Sequence, residues 1–528
     1  MKVYKIDYER LGQWSHTDLA YLKHDPALSP FYEYEPLRSN FSKAISNRKN
    51  YPVNRSLWLA SLKKQYADIG VPLPYADDVF LNVNTFTVTT AHQPVLFTGP
   101  LYHLYKISST IHLARQLKDD HPGHQFVPVF VLGAEDHDWQ ETNHYFLFGK
   151  KHEWERNASG SAGRLSVEGL DKLVEDAKEL LKNTPFGNEI HFHLSNALKK
   201  ANTYAQFHQA LLISLYQEFG LVVFNMDDVD LKRSFIPIME KELKEQFSMQ
   251  YVPATQAALE KSGFKAQAFC RPINLFYMGE GLRERIEPVA GGGYIRVDSK
   301  ISYTLDEIIA ELHSHPERFS PNVILRPLYQ EFILPNLAYI GGGGELAYWL
   351  ERKTQFEAAG VHFPMLVRRN SVLMIDAATS VQLEKADLGW EDLLGEYDAI
   401  VKRFLVSHSD RDLSFEEEKK MIHEAYVALS HKAQRLDPTL ATAILAEETK
   451  QSKVFEQLGS RLMRAEKQQQ ETSLNRIKKL KEKLFPNGGL QERHDNMMAF
   501  YSTSGKTMLE TLITVCDPME EKFTILSS

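Results

Sequence analysis

Residues 86–138 constrain the fold of this chain more than any other stretch. They run Phe86-Thr-Val-Thr-Thr-Ala-His-Gln93, then Pro94-Val-Leu-Phe-Thr-Gly-Pro-Leu-Tyr-His-Leu-Tyr-Lys106, a helical segment, and Val127-Pro-Val-Phe-Val-Leu-Gly-Ala-Glu-Asp-His-Asp138. A β-branched run stops at polar His92 and Gln93, and a Gly-Pro loop then opens a helix. A second apolar run ends in four ionisable residues. Together they describe a βαβ unit. In an open parallel sheet, ligands sit in the crevice beyond the carboxyl ends of the strands, so the polar groups gathered there mark the expected active site.

The rest of the chain extends this theme. Leu221-Val-Val-Phe-Asn-Met-Asp-Asp228 is an apolar run ending in carboxylates, which reads as a third buried parallel strand followed by a helix over about 230–247. Residues 264–304 alternate and are rich in Gly and aromatics, the pattern of an antiparallel insert. The stretches 322–331 and 336–345 read as further sheet segments, the second placing Gly341–Gly344 between a strand and a helix, and 363–370 reads as the last core strand. Past residue 380 strand signals give way to charged helices. The final helix, about 440–484, carries Val454, Leu458, Leu474, Ile477, Leu480 and Leu484 mostly three or four apart. At 1.5 Å per residue it would be on the order of 65 Å long, too long for a domain interior, so a two- or three-stranded coiled-coil arm is expected. The expected organisation is a mostly helical lead-in over 1–85, broken by prolines, and a parallel-sheet core over 86–375 with inserts at about 150–220 and 250–320. A helical arm over 376–485 and a tail over 486–528 that packs back on the core complete it.

Composition narrows the partners. A net charge of −8 argues against general nucleic-acid binding. Cys270 and Cys516 are the only cysteines, with no CxxC, so neither a disulfide framework nor a thiolate zinc site is expected. Met1-Lys-Val-Tyr-Lys-Ile-Asp-Tyr8 has no apolar core of a secretory signal, and no apolar run approaches membrane-spanning length. The expectation is a soluble, cytoplasmic protein with no nucleic-acid or membrane partner.

Three constellations carry chemistry. At the Gly-Pro loop, the amides around Thr98 and Gly99 would cradle a phosphate or carboxylate, with His103 and Lys106 one turn further in; otherwise the loop is a plain βα turn with Pro100 at its first helical position. Glu135, Asp136, His137 and Asp138 directly follow a buried run, which is costly unless they meet ligand, metal or partner. They would bind a hydrated Mg²⁺, act as a general base, or simply cap a helix and form ion pairs. With no HxxxH or HExxH, no protein-only metal site is expected. Gly341, Gly342, Gly343 and Gly344 before Glu345 form a second possible anion cradle, or else a tight strand–helix packing point. Among the arginines of the second half, Arg296 and Arg326 are the preferred anion clamps. Neither GxGxxG nor GxxxxGK[ST] occurs, which argues against a dinucleotide site or a P-loop.

Taken in order, the following segments resemble the bacillithiol biosynthesis cysteine-adding enzymes, the BshC family: Phe97-Thr-Gly-Pro-Leu-Tyr102 with Tyr105-Lys106, Glu135–Asp138 with Asn143-His144, Asn274-Leu-Phe-Tyr277 with Arg283-x-Arg-Ile286, Ser320–Val323 with Leu325-Arg-Pro-Leu-Tyr-Gln-Glu331, and Leu490-Gln-Glu-Arg493. The resemblance implies an α/β fold with a Rossmann-like parallel-sheet core related to class I aminoacyl-tRNA synthetases, inserted segments and a long α-helical coiled-coil arm through which the protein forms a homodimer. It also implies the last pathway step, in which cysteine is joined to glucosaminyl malate. The KMSKS motif of the synthetases is absent. Ala91-His92-Gln93-Pro94-Val95 stands where the family more often has a Gly-Gln-Gln-Ala-Gly-like stretch, so His92 takes no role from the resemblance.

Amide formation is uphill in water unless the carboxyl is activated. ATP, with Mg²⁺ as its companion ion, is the expected activator, through an acyl-adenylate or an acyl-phosphate. The catalytic candidates are His137, Asp136, Lys106 and His103, with His137 or Asp136 as base for the amine. The substrate-binding candidates are Gln93, Thr98, Gly99, Glu135, Asp138, Asn143, Arg296, Arg326 and Gln330, the two arginines serving malate's carboxylates. Gly341–Gly344, Gln491 and Arg493 are the nucleotide-binding candidates, with the alternative that Gln491-Glu492-Arg493 only locks the tail. A different ATP-dependent ligase or nucleotidyl transferase on the same core, or a nucleotide-binding coiled-coil scaffold, are the competing readings.

Overall fold

Threonine dominates residues 85–92, and Phe, Val and Leu dominate 125–132; such β-prone runs, buried on both faces, suit strands covered by helices on both sides. In the computed structural model, which describes residues 2–408 and 415–527, they form β1 (Thr85–His92) and β2 (Gln125–Leu132), joined by helix α1 (Tyr102–Asp120). The chain continues through β3 (Val222–Asn225), α2 (Val229–Glu245), α3 (Arg326–Ile333), β4 (Asn336–Gly341), α4 (Gly343–Leu350) and β5 (Met365–Arg368). The five strands are all parallel, in the spatial order β5-β4-β1-β2-β3. The chain therefore winds outward from β1 in one direction and then crosses to β4 on the other side. A crevice opens where such a reversal occurs, between β1 and β4.

The insert between β2 and β3 holds a short hairpin, His144–Leu147 with Lys150–Glu153, and the helices Leu170–Leu181, Gly187–Lys199 and Tyr204–Tyr216. The second insert is an antiparallel sheet built on Leu275–Gly279, Leu282–Pro288, Tyr294–Arg296 and Phe319–Pro321. The expected sheet segment over 322–331 is instead mostly helix. Asn322 accepts hydrogen bonds from the amides of Ile324 and Leu325, and Pro327 occupies the first turn of α3, so the local chemistry starts a helix. In the lead-in, a strand over Lys2–Ile6 precedes the helices; it lies beside Phe523–Ser527, which in turn pairs with Val372–Ile375.

Packing divides the chain into two units, Met1–Met374 with Leu490–Leu526, and Ile375–Gly489 with Ser527–Ser528. In the second unit, helices Glu416–Gln434 and Pro438–Gln469 are joined by three residues and pack along one another. The single helix expected over 440–484 ends at Gln470, whose φ of −94° and ψ of 15° leave the helical range, and resumes as Glu471–Leu484. The break falls in the polar stretch Lys467–Ser473, which offers no apolar side chain to hold continuous packing. No helix among the described residues is long and apolar enough to cross a membrane.

The tail after residue 489 is bound tightly to the first unit. Gln491 exchanges hydrogen bonds of 3.0 Å with both main-chain groups of Met374. Asn496 donates to the carbonyls of Phe97 and Gly99 at 2.8 and 2.9 Å, and the Leu101 amide donates to the Asp495 carbonyl. These contacts hold a loop in which Phe97, Thr98 and Gly99 all have positive φ. Gly99 is required there, since a Cβ would also lie 2.8 Å from Val95. Glu492 and Arg369, 1% and 4% exposed, form a two-bond ion pair at 2.7 and 3.1 Å. Glu492→Gln leaves a buried guanidinium uncompensated and is expected to cost about 3–5 kcal/mol in urea unfolding; a loss below about 1 kcal/mol, the range of an exposed pair, would show that the tail is not anchored this way.

Candidate active site

A cleft of about 500 Å³ lies beyond the carboxyl ends of the sheet, and every core strand contributes to it. His92 ends β1 and Gln93 follows it, Glu135 and Asp136 follow β2, and Met226 follows β3. Gly342, Gly343 and Gly344 follow β4, and Arg369 follows β5. Tyr102 from α1, Arg326 from α3, Arg283 from the antiparallel insert and Arg493 from the tail also reach it.

Buried charges here must be answered by partners, and three ion pairs do this. Lys106, 1% exposed, donates to the Ala91 carbonyl at 2.6 Å and to both Glu345 oxygens at 2.7 and 2.8 Å. Glu345 also accepts from the Tyr339 hydroxyl and from the Gly342 amide, each at 2.9 Å. Burial pushes the Glu345 carboxyl up, but the Lys106 ammonium and these donors outweigh it and hold the group at about 2. Lys232 of α2 pairs with Glu135 and with Asp227, and Arg164 grips Asp227 at 2.6 and 2.7 Å. Burial leaves the Glu135 carboxyl above its ordinary range despite Lys232. The third pair is Arg369 with Glu492.

Two half-buried cleft guanidiniums are left without such an answer. Arg326 donates to neutral partners, the Tyr348 hydroxyl at 3.1 Å and Gln330 Oε1 at 3.3 Å. Arg283 donates to Ser320 Oγ and to the His137 ring, and lies 3.9 Å from the centre of the Phe276 ring. Among the described residues no carboxylate comes within ion-pair distance of either. Asp136 and Glu141 also line the cleft, Glu141 accepting from Gln93 at 3.1 Å. His92 sits between the Gln93 carbonyl, 3.0 Å from Nδ1, and the Tyr102 hydroxyl, 2.9 Å from Nε2.

Of the residues expected from sequence, the cleft gathers Gln93, Glu135, Asp136, Arg326, Gly342, Gly343, Gly344 and Arg493. Lys106 lies beneath it, acting through Glu345. The Thr98–Gly99 cradle is filled from within, because the Gly99 amide donates to the Leu96 carbonyl and the Leu101 amide to the tail. His103 is in the core against Phe130, His92 and His208, with neither ring nitrogen partnered. His137 is half exposed and outside the lining, its Nδ1 2.7 Å from Arg283. Asp138 caps the short helix Trp139–Thr142, and Asn143 is buried against Glu153. Arg296 is neutralised by Glu284 at 3.0 Å and stacked on Tyr277, which removes it as an anion clamp. Gln330 is buried and donates to Glu331, Gly341 belongs to β4, and Gln491 locks the tail. The Gly342 amide is already taken by Glu345, which narrows the second cradle to Gly343 and Gly344. Among the described residues no three His, Cys, Asp or Glu side chains converge as a metal site.

Sequence reasoning does not single out Tyr102 and Glu345 as site residues, and it passes over Arg283 and Arg369, candidate clamps by type, in favour of Arg296 and Arg326. Glu345 has a readable signal, since it stands three residues after Gly342, the position from which an acidic side chain caps a helix start. Because Glu345 is held at about 2 in the folded chain and is ordinarily near 4.5, its contribution to stability is complete above about 4.5 and is lost as pH falls towards 2. Glu345→Gln is expected to lower stability at neutral pH by roughly 3–5 kcal/mol, through the stranded Lys106, and to flatten the acid slope between those values. Urea unfolding across pH reads both effects, and an unchanged slope would remove Glu345 from this role.

Comparison with known proteins accords with this architecture. Residues 1–370 match the N-terminal Rossmann-like domain of bacillithiol biosynthesis BshC, and residues 372–528 match its C-terminal coiled-coil domain. A Flavobacterium johnsoniae protein named "Putative cysteine ligase BshC" is 39% identical over 99% of this chain and 99% of its own length. A Christiangramia forsetii protein of the same name is 38% identical over 99% of this chain and 98% of its own. One from Bacillus mycoides is 30% identical over 81% and 82%. With both domains matched in order and relatives aligned along nearly the whole length, the chain belongs to the BshC family.

Proposed function

We propose that this protein is a ligase that joins the carboxyl of L-cysteine to the amine of glucosaminyl malate, the last step in making bacillithiol. Relatives of full length carry the cysteine ligase name, and the cleft has the chemistry such a reaction needs. The observation that carries the reading is the pair Arg283 and Arg326, two guanidiniums facing one cleft with no carboxylate of the protein on them. Malate presents two carboxylates, and charge-assisted hydrogen bonds to planar guanidiniums are the strongest way to hold them. Arg283 thus takes the part that sequence reasoning gave to Arg296.

ATP with Mg²⁺ is the activator in this reading, supplying a phosphoryl leaving group to the cysteine carboxyl. The residues present fit an anionic group of that kind: Gly343 and Gly344 lie at the start of α4, where amides lack intrahelical partners, and exposed Arg493 lines the same cleft. Gly343 admits nothing larger, since a Cβ would fall on the Asp18 carboxylate. Asp136 and Glu141 give the cleft a negative side suited to cysteine's ammonium.

The test is mass-spectrometric detection of the amide from cysteine, glucosaminyl malate, ATP and Mg²⁺. Arg283→Gln and Arg326→Gln should each raise KM for glucosaminyl malate by about 10- to 100-fold, as expected for losing a charged hydrogen bond of roughly 1.5–3 kcal/mol. The same substitutions should leave KM for glucosamine, an amine without the malate, almost unchanged. Folded wild type that makes no amide, or variants equally impaired with both amines, would overturn the reading.

A further inference from the structure

His92 and Tyr102 line the cleft as a hydrogen-bonded pair to which nothing so far gives a task. The geometry fixes which atom carries which proton. The Gln93 carbonyl can only accept, so His92 Nδ1 at 3.0 Å holds the ring proton and donates it there. Nε2 is then the bare nitrogen, and the Tyr102 hydroxyl at 2.9 Å must donate to it. The lone pairs of Tyr102 Oη remain for a ligand in the cleft. Burial, followed by the Lys106 ammonium, pushes the His92 imidazole down to about 4, so the ring is neutral and ready to accept at neutral pH. Burial and the Glu345 carboxylate push the Tyr102 phenol up to about 12, which keeps it protonated. His103 packs edge-on against His92 but makes no hydrogen bond to it, so it does not compete for Nε2.

We infer that Tyr102 and His92 form the relay that takes the proton from the amine during amide formation, with Tyr102 touching the substrate and His92 holding the proton behind it. The inference rests on the amide-forming reading above and replaces His137, whose Nδ1 is engaged by the Arg283 guanidinium outside the cleft lining. The amine's lone pair forms the new C–N bond to the activated carboxyl carbon. The bond from that carbon to the phosphate oxygen breaks, and its electron pair leaves with the phosphate. The surplus proton on nitrogen passes to Tyr102 Oη as the original hydroxyl proton passes to His92 Nε2. Tyrosine is thereby regenerated and His92 becomes an imidazolium, which returns its proton to water when product leaves. Tyr102 is the catalytic residue in this scheme and His92 its positioning partner.

The test uses the full chain in the amide assay with Tyr102→Phe, His92→Gln and His92→Ala. A glutamine oxygen can accept the Tyr102 hydroxyl but cannot hold a proton, so His92→Gln separates positioning from proton uptake. The expected result is a fall in kcat on the order of 10²-fold or more for Tyr102→Phe and His92→Gln, within the range of a lost general base, with KM for glucosaminyl malate unchanged. Added imidazole should restore part of the rate to His92→Ala and leave wild type unaffected. In ¹⁵N-histidine spectra of wild type, His92 should be the Nδ1–H tautomer. Active wild type with His92→Gln at full kcat, a loss confined to KM, or an Nε2–H tautomer would each overturn the relay while leaving the ligase reading intact. Inactive wild type would instead overturn both.

Discussion

The buried ammonium of Lys106 sets the terms on which the cleft can exist. A lysine under the end of a parallel sheet has no water to solvate it, so the fold must bring a carboxylate to it. Glu345 fills that need from the first turn of α4, and in doing so it takes the Gly342 amide as well. The glycine run therefore does two jobs that compete. The Gly342 amide is spent on stabilising Glu345, and Gly343 lets the helix start pass close to Asp18, itself held by Arg368 at 2.9 and 3.1 Å. Once Lys232 answers Glu135 and Glu492 answers Arg369, the positive charge left for a ligand rests on Arg283, Arg326 and Arg493. Neutralising the buried charge and polarising the cleft are one arrangement.

That arrangement draws together segments far apart in the chain. The tail at 490–496 supplies Glu492 to Arg369, Arg493 to the cleft and Asn496 to the loop at 97–99. Three consecutive residues at positive φ, two of them not glycine, are unfavourable unless their carbonyls and amides are satisfied from outside. The tail provides partners for the carbonyls of Phe97 and Gly99 and for the Leu101 amide, and the loop in turn sets the entry of α1, which carries both Tyr102 and Lys106. A perturbation of the tail is thus transmitted to the cleft through backbone hydrogen bonds.

What the sequence made legible follows from these physics. The core strands at 86–93, 127–132, 222–225, 336–341 and 365–368 could be read because a parallel strand covered on both faces is a continuous apolar run, and the polar residues at their ends pointed to the crevice. What failed to show was anything decided by a distant partner. Arg296 and Arg283 look alike in sequence, and only the cross-strand position of Glu284 disqualifies the first. The Leu101 amide looks free until the tail is in place, and the Gly99 amide until the loop turns it onto the Leu96 carbonyl. His103 looks like a ligand-facing histidine one turn into a helix, yet its turn points at Phe130 and the core. The stretch 322–331 is apolar enough for a strand, and a side-chain cap with a first-turn proline makes it a helix. In the second unit, periodicity carried across 467–473 although the helix ends at Gln470.

The same pairing logic bears on how a weakly basic imidazole can serve the proposed relay. In the structure His92 faces the Lys106 ammonium with Glu345 and Asp136 on the other side of the balance, and burial plus Lys106 dominate. A base held near 4 is always available at neutral pH but has little driving force to keep a proton. In the proposed reaction binding would change that balance, because a dicarboxylate amine and a phosphoryl group would both bring negative charge into the cleft that His92 lines. A negative charge nearby raises the affinity of an imidazole for a proton, and in a dry site the effect is large. In that scheme His92 would gain its basicity when the substrates are in place and lose it when they leave. The bare cleft keeps the ring neutral; a filled one would make it a proton acceptor, and product release would return the proton to water without any further group.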